Sequence, residues 1–156
     1  MQVPKRILVP VDYSAISDAA LAEAADLARL FGGAELVLIN VVPVIADLPN
    51  DVSLLKEGAY EDERDREALA KVSALAAKVN GTGGVTARGV IGRSNVPAKE
   101  ILLAAERENA DMIVIATHGM TGWREIAFGS VAKFVVEQAV IPLLVLRTKA
   151  TSAAAH

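Results

Sequence analysis

Cysteine is absent from the 156 residues, which excludes disulfides and thiolate-held metals. Aromatic residues are scarce, with one Trp, two Tyr and three Phe, so Ala, Val, Leu and Ile must build the core. That aliphatic bias suits a parallel sheet buried on both faces. Neither charge dominates: 16 Lys and Arg stand against 19 Asp and Glu, scattered rather than in blocks. Without a basic stripe, a nucleic-acid surface is not expected. No apolar run approaches the roughly 20 residues of a membrane span, and "MQVPKRILVPVDYS" lacks the apolar stretch of a signal peptide. The expectation is a cytoplasmic protein with one domain, residues 1–147, and a flexible tail, residues 148–156. Neither nucleic acid nor membrane is expected as a partner.

Apolar runs and helical periodicities alternate along the chain. "RILVPVD" (6–12), "AELVLINVV" (34–42), "VTARGVI" (85–91), "DMIVIA" (111–116) and "PLLVLR" (142–147) read as five strands. Between the first two lies a helix with Ala20, Ala24, Leu27 and Phe31 on one face, capped by Ser14 or Ser17 and ended by Gly32-Gly33. A second helix over 62–80 carries Leu69, Val72, Ala76 and Val79 on one face, and Gly89 weakens the strand after it. Helices over 97–109 and 129–139 complete the alternation. The irregular stretch 43–61 is long enough to predict a lid or a short extra helix. Such alternation predicts an α/β fold, an open five-stranded parallel sheet with helices on both faces, Rossmann-like, and the order 3-2-1-4-5 is adopted for it. Its topological switch lies between strands one and four, where ligands bind at the strands' carboxyl ends.

One connection exceeds what chain reversal needs. After strand four come Gly119, nine residues (120–128), then Gly129 and Ser130 at the start of a helix, whereas such connections usually take about two to six residues. Backbone N–H groups at that helix terminus can surround an anion. Glycine removes the Cβ from its path, and Ser130 adds a hydroxyl. Taken alone, these residues read more readily as an ordinary turn and N-cap. The spacing is not that of a P-loop, which needs a lysine before the serine, nor is a Rossmann glycine run present after strand one.

The chain as a whole resembles the universal stress proteins, in their ATP-binding subgroup. Their pattern G-x2-G-x9-G-[ST] is matched at Gly119, Gly129 and Ser130, "ILVPVDYS" is similar to their first strand and turn, and "VIPLLVLR" to their closing strand. Ala116 stands at the family's first glycine, the smallest possible change there. The resemblance implies an adenine-nucleotide site for ATP, or ADP or AMP. In it, Pro10, Val11 and Asp12 meet adenine and ribose, and the Val41 backbone meets the base. Ile115, Ala116 and Gly119 flank ribose and first phosphates, and Gly129, Ser130 and Val131 take the phosphate chain. Asp12 and Ser130 would hold Mg²⁺. It also implies a homodimer through the C-terminal strand, an edge strand in the expected order.

No catalytic residue is assigned. His118 lacks a visible partner and reads as loop packing, Glu125 has only its location, and Arg124 and Lys133 read equally as phosphate neighbours or solvated flanks. Arg93 lies near the same end of the sheet, and Trp123 reads as packing or as a lid over the nucleotide. The function expected is a dimeric, nucleotide-dependent stress-response switch that signals to a further protein partner. The alternatives are a slow ATP hydrolase or phosphotransferase, or a nucleotide-free dimeric adaptor.

Overall fold

The computed structural model describes residues 2–44, 57–119 and 129–149. Strands Arg6–Pro10 (β1), Glu35–Val42 (β2), Thr86–Arg93 (β3), Met112–Gly119 (β4) and Leu143–Lys149 (β5) form a parallel sheet. Its order is β3-β2-β1-β4-β5, as expected. Helices Ala15–Leu30 (α1) and Glu57–Asn80 (α2) cover one face, helices Pro97–Arg107 (α3) and Ser130–Gln138 (α4) the other. Ile7 and Val9 of β1 pack against Ala20, Ala24 and Val72, whereas Leu8 between them packs against Ile101, Ala104 and Val135. Both layers thus bury one strand, which is why its sequence is apolar without alternation. Burying each such side chain contributes about 1.5–3 kcal/mol.

β1 and β4 pair only at Ile7 with Met112 and Leu8 with Ile113. β1 pairs with β2 along its whole length, from Arg6 with Glu35 to Pro10 with Ile39. The sheet therefore parts between β1 and β4 towards their carboxyl ends, at the topological switch.

α1 begins at Ser14, whose hydroxyl accepts from the Ser17 N–H at 3.2 Å, and ends where Gly32 and Gly33 take φ of 80° and 103°. α2 begins at Glu57 rather than at 62, while residues 45–56 of the expected lid lie outside the described residues. Val72, Ala76 and Val79 are buried on its inner face, but Leu69, expected there, is 42% exposed. A Cβ at Gly89 would stand 2.8 Å from the Val72 carbonyl carbon and the Ser73 nitrogen. Gly89 thus lets α2 lie directly on the β3 backbone, a use of strand glycine that compensates its weak propensity.

β4 continues through Gly119 and β5 through Lys149. Gly119, expected to turn the chain away, is instead paired with Lys149, and Thr148 and Lys149, expected in the tail, are strand residues. The Thr148 hydroxyl donates to the Thr117 carbonyl at 3.1 Å, and both threonines are β-branched and favour extended backbone. Residues 150–156 lie outside the described residues.

At the opposite end of the sheet, Glu35 accepts from Arg6 Nε at 2.6 Å and from Arg88 Nε at 3.0 Å. Arg88 also donates to Glu108 at 2.8 Å. Burial pushes the Glu35 carboxyl up, but the two arginines outweigh it and hold it below its ordinary value.

Candidate functional site

The parting of β1 and β4 opens into a crevice of about 310 Å³ at the carboxyl edge of the sheet. That volume lies at the lower end of the usual range for small-molecule sites. Pro10, Val11 and Asp12 line it from the end of β1, Val41 from β2, and Ile115 and Ala116 from β4. Gly129 and Val131 line it from the start of α4. These residues, far apart in sequence, are brought to one cleft.

Ser130, which the resemblance named, is not among the residues that line the crevice. It is the first residue of α4 and exposed. Gly119 is the last residue of β4 and pairs with Lys149. Arg93 pairs with Asp65 of α2 and is likewise not in the wall. His118 is paired through its backbone with Thr148. Trp123, Arg124 and Glu125 lie outside the described residues, and Lys133 is exposed on α4.

The β1–α1 turn is organised around Asp12. Its Oδ1 accepts from the Ser14 N–H at 3.0 Å and from the Ser14 hydroxyl at 2.5 Å. Its own N–H donates to Ser17 Oγ at 3.3 Å, and that hydroxyl donates to the Ser14 carbonyl at 3.1 Å. Burial pushes the Asp12 carboxyl up, but the bonds from Ser14 and Ser17 outweigh it and hold it below its ordinary value. Asp12 is therefore a carboxylate at neutral pH, and it is the sole acidic side chain among the described residues of the wall.

Closing so short a turn requires Tyr13 to take φ of 64°, a strained conformation for a residue with a Cβ. The Lys71 ammonium lies 3.9 Å from the centre of the Tyr13 ring, a cation–π contact that ties α2 to the turn. The Tyr13 hydroxyl is buried without a hydrogen-bond partner, and burial pushes its pKa up.

The opposite wall offers bare backbone. Gly129 precedes α4 with φ of −53°, open to any residue, and a Cβ there would meet nothing within 4 Å among the described residues. Neither its backbone geometry nor its packing against the described residues asks for glycine at this position. What glycine provides is an unobstructed approach to the first turn of α4, whose N–H groups have no intrahelical acceptors and carry the positive end of the helix dipole.

The sequence reading missed several wall residues. Asn40 Nδ2 donates to the Val11 carbonyl at 2.9 Å and ties the ends of β1 and β2 together. Pro97 and Ile101 enter from α3, while Ile16 and Ser17 of α1 belong to the stretch 12–17 expected at the switch. Thr117 of β4 also lines the crevice. It is 3% exposed, and its hydroxyl has no hydrogen-bond partner among the described residues. Its β-branched side chain beside an apolar run reads simply as strand, and only the tertiary structure shows the orphaned donor. No group of three or more His, Cys, Asp or Glu that could hold a metal occurs among the described residues.

The profile of the universal stress protein family matches residues 4–147. Universal stress protein MJ0531 of Methanocaldococcus jannaschii is 37% identical over 149 residues, covering 92% of this chain and 82% of that protein. The solved structure of MJ0577, from the same organism, superposes with a TM-score of 0.70 at 26% identity, covering 93% of this chain and 96% of that one. An Arabidopsis thaliana universal stress family protein, solved with AMP bound, shares the fold with a TM-score of 0.58 at 18% identity, and 94% of each chain is covered. The chain belongs to the universal stress protein family.

Proposed function

We propose that this universal stress protein binds an adenine nucleotide in the β1–β4 crevice and acts as a nucleotide-dependent switch. The observation that carries this reading is the meeting of two unlike walls across one apolar cleft. An ionised Asp12 is held by Ser14 on one side, and the start of α4, where Gly129 makes no side-chain cap bond, stands on the other. A flat base fits between the aliphatic side chains of Val11, Ile39 and Val41. Asp12 then meets the ribose hydroxyls, and Ile115 and Ala116 flank the sugar. The phosphates run to Gly129 and Val131, with Gly119 and Ser130 reached by the longer chain of ATP rather than by AMP.

The fit of the residues to the ligand is chemical as well as spatial. Bare backbone at Gly129 and unpaired N–H groups suit phosphate oxygens, and an exposed carboxylate suits sugar hydroxyls. With Mg²⁺, Asp12 and the Ser130 hydroxyl would contribute oxygen ligands beside the phosphates, as this hard cation prefers. In the Arabidopsis relative the same fold carries AMP, so the architecture accepts an adenine nucleotide in another member.

A second copy of the chain is proposed along β5, which ends the sheet order. Nucleotide occupancy at the start of α4 can then be communicated to the neighbouring edge. Mass spectrometry of the purified protein for adenine nucleotide, followed by ATP titration calorimetry, tests the reading. A protein that carries no nucleotide and takes up neither ATP, ADP nor AMP would leave the nucleotide-free adaptor as the better account.

A further inference from the structure

We propose that Thr117 is a specificity residue of the crevice, whose hydroxyl donates to a phosphate oxygen of the bound nucleotide. The proposal rests on the nucleotide reading above. It assigns to Thr117 a preference for phosphorylated ligands over the bare nucleoside.

Buried hydroxyls are nearly always paired, and each exception asks for a reason. Thr117 is 3% exposed and its Oγ1 has no partner among the described residues, although its own carbonyl accepts from Thr148 at 3.1 Å. Valine would fill nearly the same space, keep the β-branched strand preference and leave no donor stranded. Packing and propensity therefore do not explain threonine here, whereas an acceptor that arrives with a ligand does.

The position of Thr117 selects which part of the ligand that is. Side chains alternate along β4, so Ile113, Ile115 and Thr117 share the face covered by α3 and α4. Ile113 is buried in that layer's core, and Ile115 and Thr117 continue into the crevice wall. The wall next to them is the first turn of α4, with Gly129, Val131 and Ala132. The apolar wall of Val11, Ile39 and Val41 belongs to β2 and to the residue that follows β1, on the other side of the parting. Thr117 thus shares the phosphate side with the α4 amides. Rotation about χ1 between staggered wells is all that is needed to turn the hydroxyl to an arriving oxygen.

ATP and adenosine are titrated by calorimetry into the parent, Thr117→Val and Thr117→Ser, and each protein is melted without ligand. Thr117→Val should weaken ATP about tenfold, equivalent to about 1.4 kcal/mol, and leave adenosine within about twofold. Thr117→Ser should keep ATP affinity within about threefold. Unliganded Thr117→Val should melt no lower than the parent, because no intramolecular bond is lost. Equal ATP affinity for parent and Thr117→Val overturns the proposal while the nucleotide reading stands. Equal weakening of adenosine overturns the phosphate assignment. A parent that binds neither ligand overturns both. Should Thr117→Val not fold, the ATP-bound crystal structure of the parent decides. A Thr117 Oγ1 within about 3.2 Å of a phosphate oxygen upholds the bond, and any longer separation overturns it.

Discussion

Ser14 donates twice to the same oxygen of Asp12, through its N–H at 3.0 Å and its hydroxyl at 2.5 Å. The same hydroxyl accepts from the Ser17 N–H and so caps α1. One serine therefore both starts the helix and orients the carboxylate that faces the crevice. Ser14→Ala should lose the cap and destabilise the fold by about 1 kcal/mol at neutral pH, as read by urea denaturation.

The pH dependence of that loss separates its two parts. The folded Asp12 carboxyl lies below its ordinary value, so its contribution is present above the unfolded pKa and is lost as pH falls through the folded one. The gap between parent and Ser14→Ala should therefore narrow in acid, below the usual carboxylate range. A gap of constant size would mean that only the cap had been removed.

Glu35 gives a second acid-sensitive contribution, at the end of the sheet away from the crevice. It serves both Arg6 and Arg88, at 2.6 and 3.0 Å, and its carboxyl is also held below its ordinary value. By the same sign, this stability is present at neutral pH and lost as pH falls. The pairs are partly exposed, so Glu35→Gln should destabilise by about 1 kcal/mol at most, without altering nucleotide affinity. A large loss of affinity would show that the two ends of the sheet are coupled.

Two glycines should respond in opposite ways. A Cβ at Gly89 collides with the α2 backbone at 2.8 Å, whereas one at Gly129 meets nothing within 4 Å among the described residues. Gly89→Ala should lower stability by about 1–3 kcal/mol, the usual cost of overpacking. Gly129→Val should melt like the parent yet lose ATP, because its side chain stands where the ligand approaches the α4 amides. If Gly129→Val binds ATP as tightly as the parent, the nucleotide lies elsewhere.

The fold was legible because its signals are local and repeated. Apolar runs such as "ILV" at 7–9 and Ala-rich spacing in α1 specify layers directly, and alternation then specifies a parallel sheet. The part of the site with main-chain character was legible too, since Asp12 and Gly129 sit at element boundaries that sequence marks. What escaped depends on contacts between distant segments. The burial of the Thr117 hydroxyl, the Asn40 tie to Val11 and the packing of α2 on Gly89 have no local sequence mark. Strand ends were misjudged where threonines 117 and 148 lengthen the β4–β5 ladder by a side-chain bond.

β5 carries the test of assembly. Leu143 and Leu144 pack on the two cores, but Val145 and Leu146 are half-buried and belong to neither. Apolar side chains on an edge strand favour pairing with a second copy. Light scattering should give the mass of two chains for the parent. Val145→Lys or Leu146→Lys should give a folded single chain, since the core is untouched. A parent mass of one chain at micromolar concentration would refute the dimer.

Bound ATP should turn over slowly. Fast hydrolysis needs a group that positions or deprotonates the attacking water, and usually a cation that meets the charge developing on the phosphoryl oxygens. The described wall supplies one carboxylate, Asp12, already engaged by Ser14, together with hydroxyls, backbone and aliphatic side chains. Arg93 is turned to Asp65, and Lys133 is exposed and absent from the wall. Backbone amides at the start of α4 recognise the ground-state phosphates as well as the transition state, and uniform binding of that kind does not accelerate chemistry. Turnover is therefore expected far below the enzyme median of about 10 per second. Phosphate release from the purified protein with Mg²⁺ and ATP measures it, alongside His118→Ala and Glu125→Ala. Rapid release abolished by either substitution would make the protein an enzyme and the switch reading wrong.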